Sequence, residues 1–181
     1  MPEDIQQLIT QIEQGERIKF LFFWGHSGAA SSKSCLSQWF IAPFEFEGIT
    51  FRTAEHWMMA EKARLFEDDE MYQRIVECET PGEAKKLGRK VRNFDPAIWE
   101  AHRLDIVIRG NELKFGQNEE MKDFLLSTGN RVLVEASPYD RIWGIGMTQN
   151  NEAVEHPRNW KGLNLLGFAL MKVREKLSTR P

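Results

Sequence analysis

The spacing of apolar residues divides the chain into short helices and strands. Apolar positions that recur every third or fourth residue predict helices at 4–14, 53–66, 69–78, 80–88, 95 to about 110 or 115, 118–128 and 163–177. Runs rich in β-branched and aromatic residues predict strands at 18–23, 36–41, 44–51 and 131–135, the third with a turn at 47–48. Residues 27–34 and 136–162 have little periodicity and are predicted loops.

The helix that begins after Thr53 carries the first candidate for chemistry. The Thr53 hydroxyl is a typical N-cap acceptor, which places Glu55 in the first helical turn. A carboxylate at 55 and the ammonium of Lys62 then share one face, about 10 Å apart along the axis, with methionines between them. The structural alternative is that Glu55 favours the helix dipole and that the methionines belong to the core.

This order of elements predicts the fold class. Helices dominate, the strands are few and short, and the sequence of elements does not alternate between strand and helix as a doubly wound sheet requires. We therefore expect a predominantly α-helical α+β domain with a small sheet, and one domain over residues 1–181.

Composition and charge narrow the class of protein. Hydrophobic and charged fractions of 41% and 28% are ordinary for a globular domain, and no apolar run has the length of a membrane span. The first residues lack the basic start of a signal peptide, and Cys35 and Cys78 form no CxxC pair. We expect a cytoplasmic protein with no membrane partner. A net charge of −3 argues against coating nucleic acid but permits a pocket with local cations.

Metal and cofactor sites find little support in the sequence. The four histidines form no HxxxH or HExxH pattern, and the adjacent Glu55 and His56 point in different directions on a helix. Neither cysteine lies in a nucleophile motif, and the dinucleotide and P-loop fingerprints are absent. We expect no metal and no cofactor.

Carboxylates near aromatic residues are the remaining chemistry. Glu55 begins a helix and Asp140 lies in a loop close to Trp143. Cleavage of a glycosidic bond needs negative charge beside a developing oxocarbenium ion and a base for water, while indoles can stack on the leaving base. For Asp140 alone turn capping is the better interpretation, and for Trp99 and Trp143 it is core packing. Only the combination favours an enzyme.

Basic residues supply candidates for phosphate binding. The candidates are Lys62, Arg89, Lys90, Arg92, Arg103 and Lys114. Lys62 shares a helical face with Glu55, and Arg103 follows Trp99 by four residues on one helix, so these two are preferred. Most such side chains are solvated surface.

In this order and spacing, several stretches resemble the YbiA-like or NADAR family of N-glycosidases. The resemblance runs from residue 22 to 174, and the matching stretches are 22–25, 36–40, 53–62, 87–89, Trp99, 114–118, 126–129, 133–137, 140–146 and 162–167. The stretches 27–34 and 147–156 depart from shorter family members and could border the pocket.

The resemblance implies a compact, mainly helical fold and metal-free hydrolysis of an N-glycosidic bond. Family substrates are ribosylaminopyrimidine phosphates of early riboflavin biosynthesis and ADP-ribosylated guanosine, so the implied partner is a ribosyl phosphate or an ADP-ribosyl compound, or a modified nucleic acid. The family's catalytic carboxylates map to Glu55 and Asp140, and its pocket tryptophans map to Trp99 and Trp143. The residues of the matching stretches that complete the predicted binding set are Trp24, Gly25, Gly144 and Asn164.

The working hypothesis gives Glu55 and Asp140 the catalytic roles. Glu55 would activate water or steady the cationic sugar, with Asp140 as the second carboxylate, and the acid and base roles stay open. The tryptophans would sandwich the base, while Lys62, Arg103 and Lys114 would receive phosphate. Two alternatives are a non-catalytic module that binds ADP-ribose or a nucleotide, and a structural interaction domain without an aromatic and acidic pocket.

Overall fold

The computed structural model describes residues 2–179 and places seven α-helices in them. In chain order these are α1 (Ile5–Glu13), α2 (Ala54–Leu65), α3 (Asp69–Glu77), α4 (Pro81–Gly88), α5 (Pro96–Gln117), α6 (Glu119–Ser127) and α7 (Leu165–Ser178). All seven predicted helices are therefore present, and α5 runs two residues past the later of its two predicted ends. The predominantly helical α+β class is confirmed.

Local capping explains where three of these helices begin. The Thr53 hydroxyl accepts a hydrogen bond from the backbone N–H of His56 at 3.3 Å, which starts α2. Thr80 starts α4 in the same way, with Pro81 at the first helical position. One Asp95 oxygen accepts two backbone N–H groups, at 2.8 and 3.1 Å, and starts α5.

The strands form two small sheets instead of the single small sheet that was predicted. β1 (Phe20–Phe23) pairs in parallel with β4 (Val132–Glu135), so both carboxyl ends lie at one edge. β2 (Phe44–Phe46) and β3 (Ile49–Phe51) form an antiparallel hairpin. The turn predicted at 47–48 divides the long strand, because Glu47 and Gly48 both adopt positive φ, at 51° and 78°.

The strand predicted at 36–41 is wrong. Residues Lys33–Leu36 form a short 3₁₀ helix, and 37–41 are irregular. The backbone carbonyls of Cys35 and Ser37 accept hydrogen bonds from the buried ammonium of Lys114, at 2.6 and 2.8 Å. With these acceptors engaged by a side chain, the segment packs on α5 instead of joining a sheet.

Helix α2 lies at the centre of the fold and packs against α3, α4 and α5. Its residues are buried on every side from Ala54 to Ala60. The Trp57 indole donates to the Ile106 carbonyl of α5 at 2.8 Å and packs among the aromatic rings of the hairpin. Over these residues α2 turns no face to solvent, because neighbouring elements cover it from several directions.

The long 136–162 segment is held by backbone hydrogen bonds. Ile145 N–H donates to the Glu135 carbonyl, and Lys161 N–H donates to the Ile145 carbonyl. A 3₁₀ helix at Pro157–Asn159 shortens the predicted loop. Between residues 2 and 179, no helix has both the length and the apolar character needed to cross a bilayer.

Candidate active site

A cavity of about 630 Å³ opens where the carboxyl ends of β1 and β4 meet helices α2, α4 and α5. Its volume lies within the range of small-molecule sites. Three carboxylates and three cations line it together with several aromatic rings; the charged set is Glu55, Glu135, Asp140, Lys62, Lys85 and Arg89. The two predicted carboxylates and both predicted tryptophans, Trp99 and Trp143, therefore share one cleft.

Glu55 forms part of the buried wall of this cavity. Its backbone N–H donates to the Gln38 carbonyl at 3.0 Å, and only 3% of the residue is exposed. Trp39 donates a side-chain hydrogen bond to the carboxylate, yet Oε1 has no hydrogen-bond partner among the residues described. Burial raises the pKa of Glu55 to about 7, against the opposing charge of Lys85. A carboxyl with this pKa can exchange a proton near neutral pH.

Asp140 combines a structural role with a place in the cavity wall. Its Oδ1 accepts hydrogen bonds from the backbone N–H groups of Ile142 and Trp143, at 2.8 and 2.7 Å. The turn capping considered for this residue is therefore present. The same bonds fix the carboxylate beside the Trp143 backbone, so its negative charge is held in a defined position at the cavity.

Glu135 is a third carboxylate that the predicted site set omits. It is the last residue of β4, and its Oε2 is buried without a hydrogen-bond partner in the described part of the chain. Burial raises its pKa to about 8, and the negative charges of Asp140 and Glu55 contribute to the rise. The stretch 133–137 contributed to the family resemblance, but only the pairing of β4 with β1 places Glu135 opposite α2.

Aromatic rings surround the acidic wall and extend to the cavity mouth. Trp24 and Tyr139 lie with ring centroids 6.1 Å apart and are 53% and 86% exposed. Trp24 and Gly25, two members of the predicted binding set, follow β1 directly and line the cavity. Trp39, which is absent from that set, packs near His26 at 5.7 Å and carries the hydrogen bond to Glu55.

The cations of the cavity come mainly from α4. Lys85 and Arg89 line it, and they reach it because α4 packs closely on α2. A Cβ at Gly88 would lie 2.1 Å from the Met59 sulfur, so any larger residue would force the Met59 side chain to move. Lys62 also lines the cavity, but its Nζ donates to the Gly88 carbonyl at 2.8 Å and lies 4.0 Å from the Phe94 ring centroid. Burial lowers the pKa of Lys62.

Four predicted binding residues are not among the described residues that line the cavity: Arg103, Lys114, Gly144 and Asn164. Lys114 is fully buried in the core, and we correct its predicted phosphate contact, because both measured bonds of its ammonium go to backbone carbonyls. Arg103 pairs with Glu100 at 3.8 Å along α5 and lies outside the lining, and its phosphate contact stays a prediction. Helical spacing from Trp99 did not suffice to bring Arg103 to the same cleft.

Asn164 and Gly144 lie behind the cavity wall and support it. Asn164 Oδ1 accepts the backbone N–H of Glu135 at 3.0 Å, and its Nδ2 donates to the Leu133 carbonyl at 3.0 Å. The Gly144 carbonyl accepts the backbone N–H of Asn164 at 3.2 Å. We correct their predicted substrate contacts to a positioning role for β4 and the 140–146 loop.

His56, the histidine next to Glu55, has a structural role. His56 is buried, with Nδ1 2.8 Å from the Thr53 hydroxyl and Nε2 3.1 Å from the Cys78 carbonyl. Both ring nitrogens are thus engaged within the protein. In the region 2–179, no group of three histidine, cysteine, aspartate or glutamate residues has an arrangement suited to a metal ion.

Comparison with known proteins identifies the family. The NADAR domain matches residues 22–178, which is most of the chain. This protein belongs to the NADAR family. The N-glycosidase R617 of Acanthamoeba polyphaga mimivirus is 47% identical over 167 residues, covering 89% of this chain and 98% of the relative. The N-glycosidase YbiA of Escherichia coli is 30% identical over 136 residues, covering 75% of this chain and 76% of YbiA.

A solved structure agrees with this NADAR assignment. The NMR structure of Escherichia coli YbiA superposes with a TM-score of 0.73 at 26% identity, covering 98% of this chain and 94% of YbiA. The YbiA-like fold that the resemblance implied is confirmed. Together, these relatives support a hydrolase that acts on N-glycosyl bonds.

Proposed function

We propose that this NADAR protein hydrolyses the N-glycosidic bond of a ribosylated, phosphorylated substrate bound in the 630 Å³ cavity. The proposal rests mainly on the surroundings of the Glu55 carboxyl group. The residue is 3% exposed, one of its carboxylate oxygens has no hydrogen-bond partner among residues 2–179, and it lines a cavity that also contains indole rings and cations. A buried, incompletely paired acid in a cleft is typical of catalytic centres.

The chemistry assigned to Glu55 follows from the transition state of this reaction. As the bond between C1′ and nitrogen lengthens, positive charge develops on the sugar, and negative carboxylates close to it lower the barrier. Asp140, held by its two backbone hydrogen bonds, supplies such a charge without reorganisation. Glu55, with a pKa of about 7, is suited to accept a proton from the attacking water.

Binding is assigned to the rings and to α4. Trp99 and Trp143 would stack on the planar leaving group, a contact worth about 1–3 kcal/mol per base. Lys85 and Arg89 would receive the phosphate, since they line the cavity and no described ion pair engages them. Lys62 would instead hold the Gly88 carbonyl and so keep α4 in place.

We consider two substrate classes for this cavity: ribosylaminopyrimidine phosphates of early riboflavin biosynthesis, and ADP-ribosylated guanosine. One relative favours the first class. The maize riboflavin biosynthesis protein PYRR, a chloroplastic protein, is 33% identical over 135 residues, which cover 71% of this chain but 20% of that protein. A domain joined to a riboflavin biosynthesis protein is well placed to act on intermediates of that route.

The test is incubation of the purified protein with each substrate class, followed by chromatography of the released amine or base and sugar phosphate. We expect release from at least one class, and loss of about 10²–10⁴-fold in kcat for Glu55→Gln. Glu77→Gln, an exposed position on α3, is the matched control and should leave the rate unchanged. Undiminished turnover by folded Glu55→Gln, or tight binding without product, would reject the proposal.

A further inference from the structure

Three carboxylates line one cavity, but their oxygen atoms are not equally available. Asp140 Oδ1 already accepts two backbone hydrogen bonds at 2.7 and 2.8 Å. Glu55 Oε1 and Glu135 Oε2 are both buried, and neither finds a hydrogen-bond partner in the described chain. Buried polar atoms without partners are rare in native proteins and cost stability. The residues that line this cavity have three of them, the two carboxylate oxygens and Gln38 Nε2, and this cluster requires an explanation.

The backbone of each glutamate is fixed by a different part of the cavity wall. Glu55 begins α2 and donates its N–H to the Gln38 carbonyl at 3.0 Å. Glu135 ends β4. The Asn164 side chain accepts the backbone N–H of Glu135 at 3.0 Å, and the Glu135 carbonyl accepts the Ile145 N–H at 2.9 Å. A substrate in the cavity would therefore meet two carboxyl groups that are held independently, one by α2 and one by β4.

The charges around Glu55 and Glu135 determine which of the two is protonated more readily. Glu135 faces the negative charges of Asp140 and Glu55, with Lys85 as the opposing cation. Glu55 faces Lys85 and Arg89 as well as Asp140, and accepts the Trp39 hydrogen bond. The remaining charged or titratable side chains of the lining are Lys62, His26 and Tyr139. The two glutamates repel each other equally, so the difference between them lies in Arg89 and in the Trp39 hydrogen bond, which favour the ionised form of Glu55 alone. The environment of Glu135 therefore favours its neutral form more strongly, and burial raises its pKa.

We propose that Glu135 is the catalytic acid of this site and that Glu55, which lines the same cavity, is the base. The inference rests on the proposed N-glycosidase function and replaces Asp140 as the proton-transferring partner. Asp140 keeps its part as a fixed negative charge. Two carboxyl groups whose surroundings separate their proton affinities are a recurrent basis for acid and base roles.

The step balances as a hydrolysis. The electron pair of the bond between C1′ and nitrogen leaves with nitrogen, which takes the carboxyl proton of Glu135. The water oxygen forms the new bond to C1′, and the water proton passes to Glu55. The products are the free amine or base and the sugar with a hydroxyl at C1′. One proton exchange with solvent then returns Glu135 to its acid form and Glu55 to its carboxylate.

The first experiment measures the proton without turnover. In protein labelled with ¹³C at the glutamate side-chain carboxyl, Glu135 is assigned by loss of its signal in Glu135→Gln and titrated from about pH 4 to about pH 10, a range that spans the ordinary and the raised pKa. We expect a signal that is still largely protonated at neutral pH. A Glu135 signal that titrates near the ordinary glutamate range would overturn the proposal even if no substrate were cleaved, so this failure is separate from failure of the proposed function.

The second experiment measures pH profiles of kcat for the wild type, Glu135→Gln and the control Glu77→Gln on the substrate that the wild type cleaves. We expect Glu135→Gln to lose about 10²–10⁴-fold in kcat and the alkaline limb of the profile, with an unchanged melting temperature or a higher one. Glu77→Gln should match the wild type. A folded Glu135→Gln that keeps the alkaline limb, or loses less than about tenfold in kcat, would assign the acid elsewhere.

Discussion

Two regions of this molecule bury charged side chains, and they do so in different ways. Lys114 lies in the core between α5 and the 35–37 segment, and its ammonium donates to two carbonyls at 2.6 and 2.8 Å. Glu55 lies at the start of α2, and one of its oxygens has no hydrogen-bond partner within residues 2–179. Burial shifts the pKa of both groups to about 7, downward for Lys114 and upward for Glu55.

The difference shows that burial and a displaced pKa do not by themselves mark a functional group. Lys114 has hydrogen-bond acceptors supplied by the fold and holds the segment that leads to Trp39. Glu55 lines a cavity, so a bound ligand can lie beside its carboxyl group. The presence or absence of a hydrogen-bond partner therefore distinguishes the structural Lys114 from the candidate catalytic Glu55 better than the size of the pKa shift does.

The largest expected effect that tests this contrast is on stability. Lys114→Met keeps most of the side-chain volume but leaves the Cys35 and Ser37 carbonyls without the ammonium that they bind. We expect the free energy of unfolding to fall by about 2–4 kcal/mol, since the Cys35 carbonyl is left unpaired, at about 1–3 kcal/mol, and the Ser37 carbonyl keeps only the Phe40 N–H at 3.3 Å. Urea denaturation followed by tryptophan fluorescence measures the change.

The matched control is Lys86→Met, at an exposed position on α4, which should shift the free energy of unfolding by less than about 0.5 kcal/mol. If Lys114→Met were as stable as the wild type, the hydrogen bonds to Cys35 and Ser37 would not support the fold as described.

The second prediction concerns the pH dependence of stability, which should run in opposite directions for the two groups. In the folded state Glu55 keeps its proton up to a pKa of about 7, whereas in the unfolded chain its pKa is 4.5. The free energy of unfolding therefore falls as the pH rises between these two values. For Lys114, the unfolded chain keeps its proton up to a pKa of 10.5 and the folded state only to about 7, so unfolding free energy rises across that interval.

Glu55→Gln removes the first of these slopes. Relative to the wild type, we expect the variant to gain on the order of 1–2 kcal/mol of unfolding free energy between pH 4.5 and about pH 7. Urea titrations at closely spaced pH values give the difference curve. A difference that is flat over this range would show that Glu55 titrates in the folded protein as it does in the unfolded chain.

The smallest predicted effect separates the two arginines considered for phosphate binding. Arg89→Gln removes a cation from the cavity wall and should raise KM about tenfold, which corresponds to about 1.4 kcal/mol of binding free energy. Arg103→Gln removes a side chain that pairs with Glu100 on α5 and should leave KM nearly unchanged. Steady-state kinetics on the cleaved substrate measure both. Equal effects of the two changes would remove Arg89 from the proposed phosphate site.

Prediction from the sequence succeeded where the signal is local. Caps at Thr53, Thr80 and Asp95 placed the starts of α2, α4 and α5, because side-chain capping depends on residues within one helical turn. Prediction failed for the 36–41 strand, since its apolar pattern suits a strand but Lys114, far along the chain, binds its carbonyls. It also failed for the phosphate contact of Lys114, because burial of a side chain on α5 depends on which face of the helix other elements cover.

The sequence by itself determined the helices, the family and the presence of Glu55, Asp140 and two tryptophans in motifs with a known order. The tertiary structure determined which charged side chains lie together at the cavity. Parallel pairing of β1 with β4 brought Glu135 to the cavity, and close packing of α4 on α2 at Gly88 brought Lys85 and Arg89 there. The physical reason is that capping and periodicity act within a few residues, whereas the pairing or isolation of a buried charge depends on atoms that the chain supplies from far away.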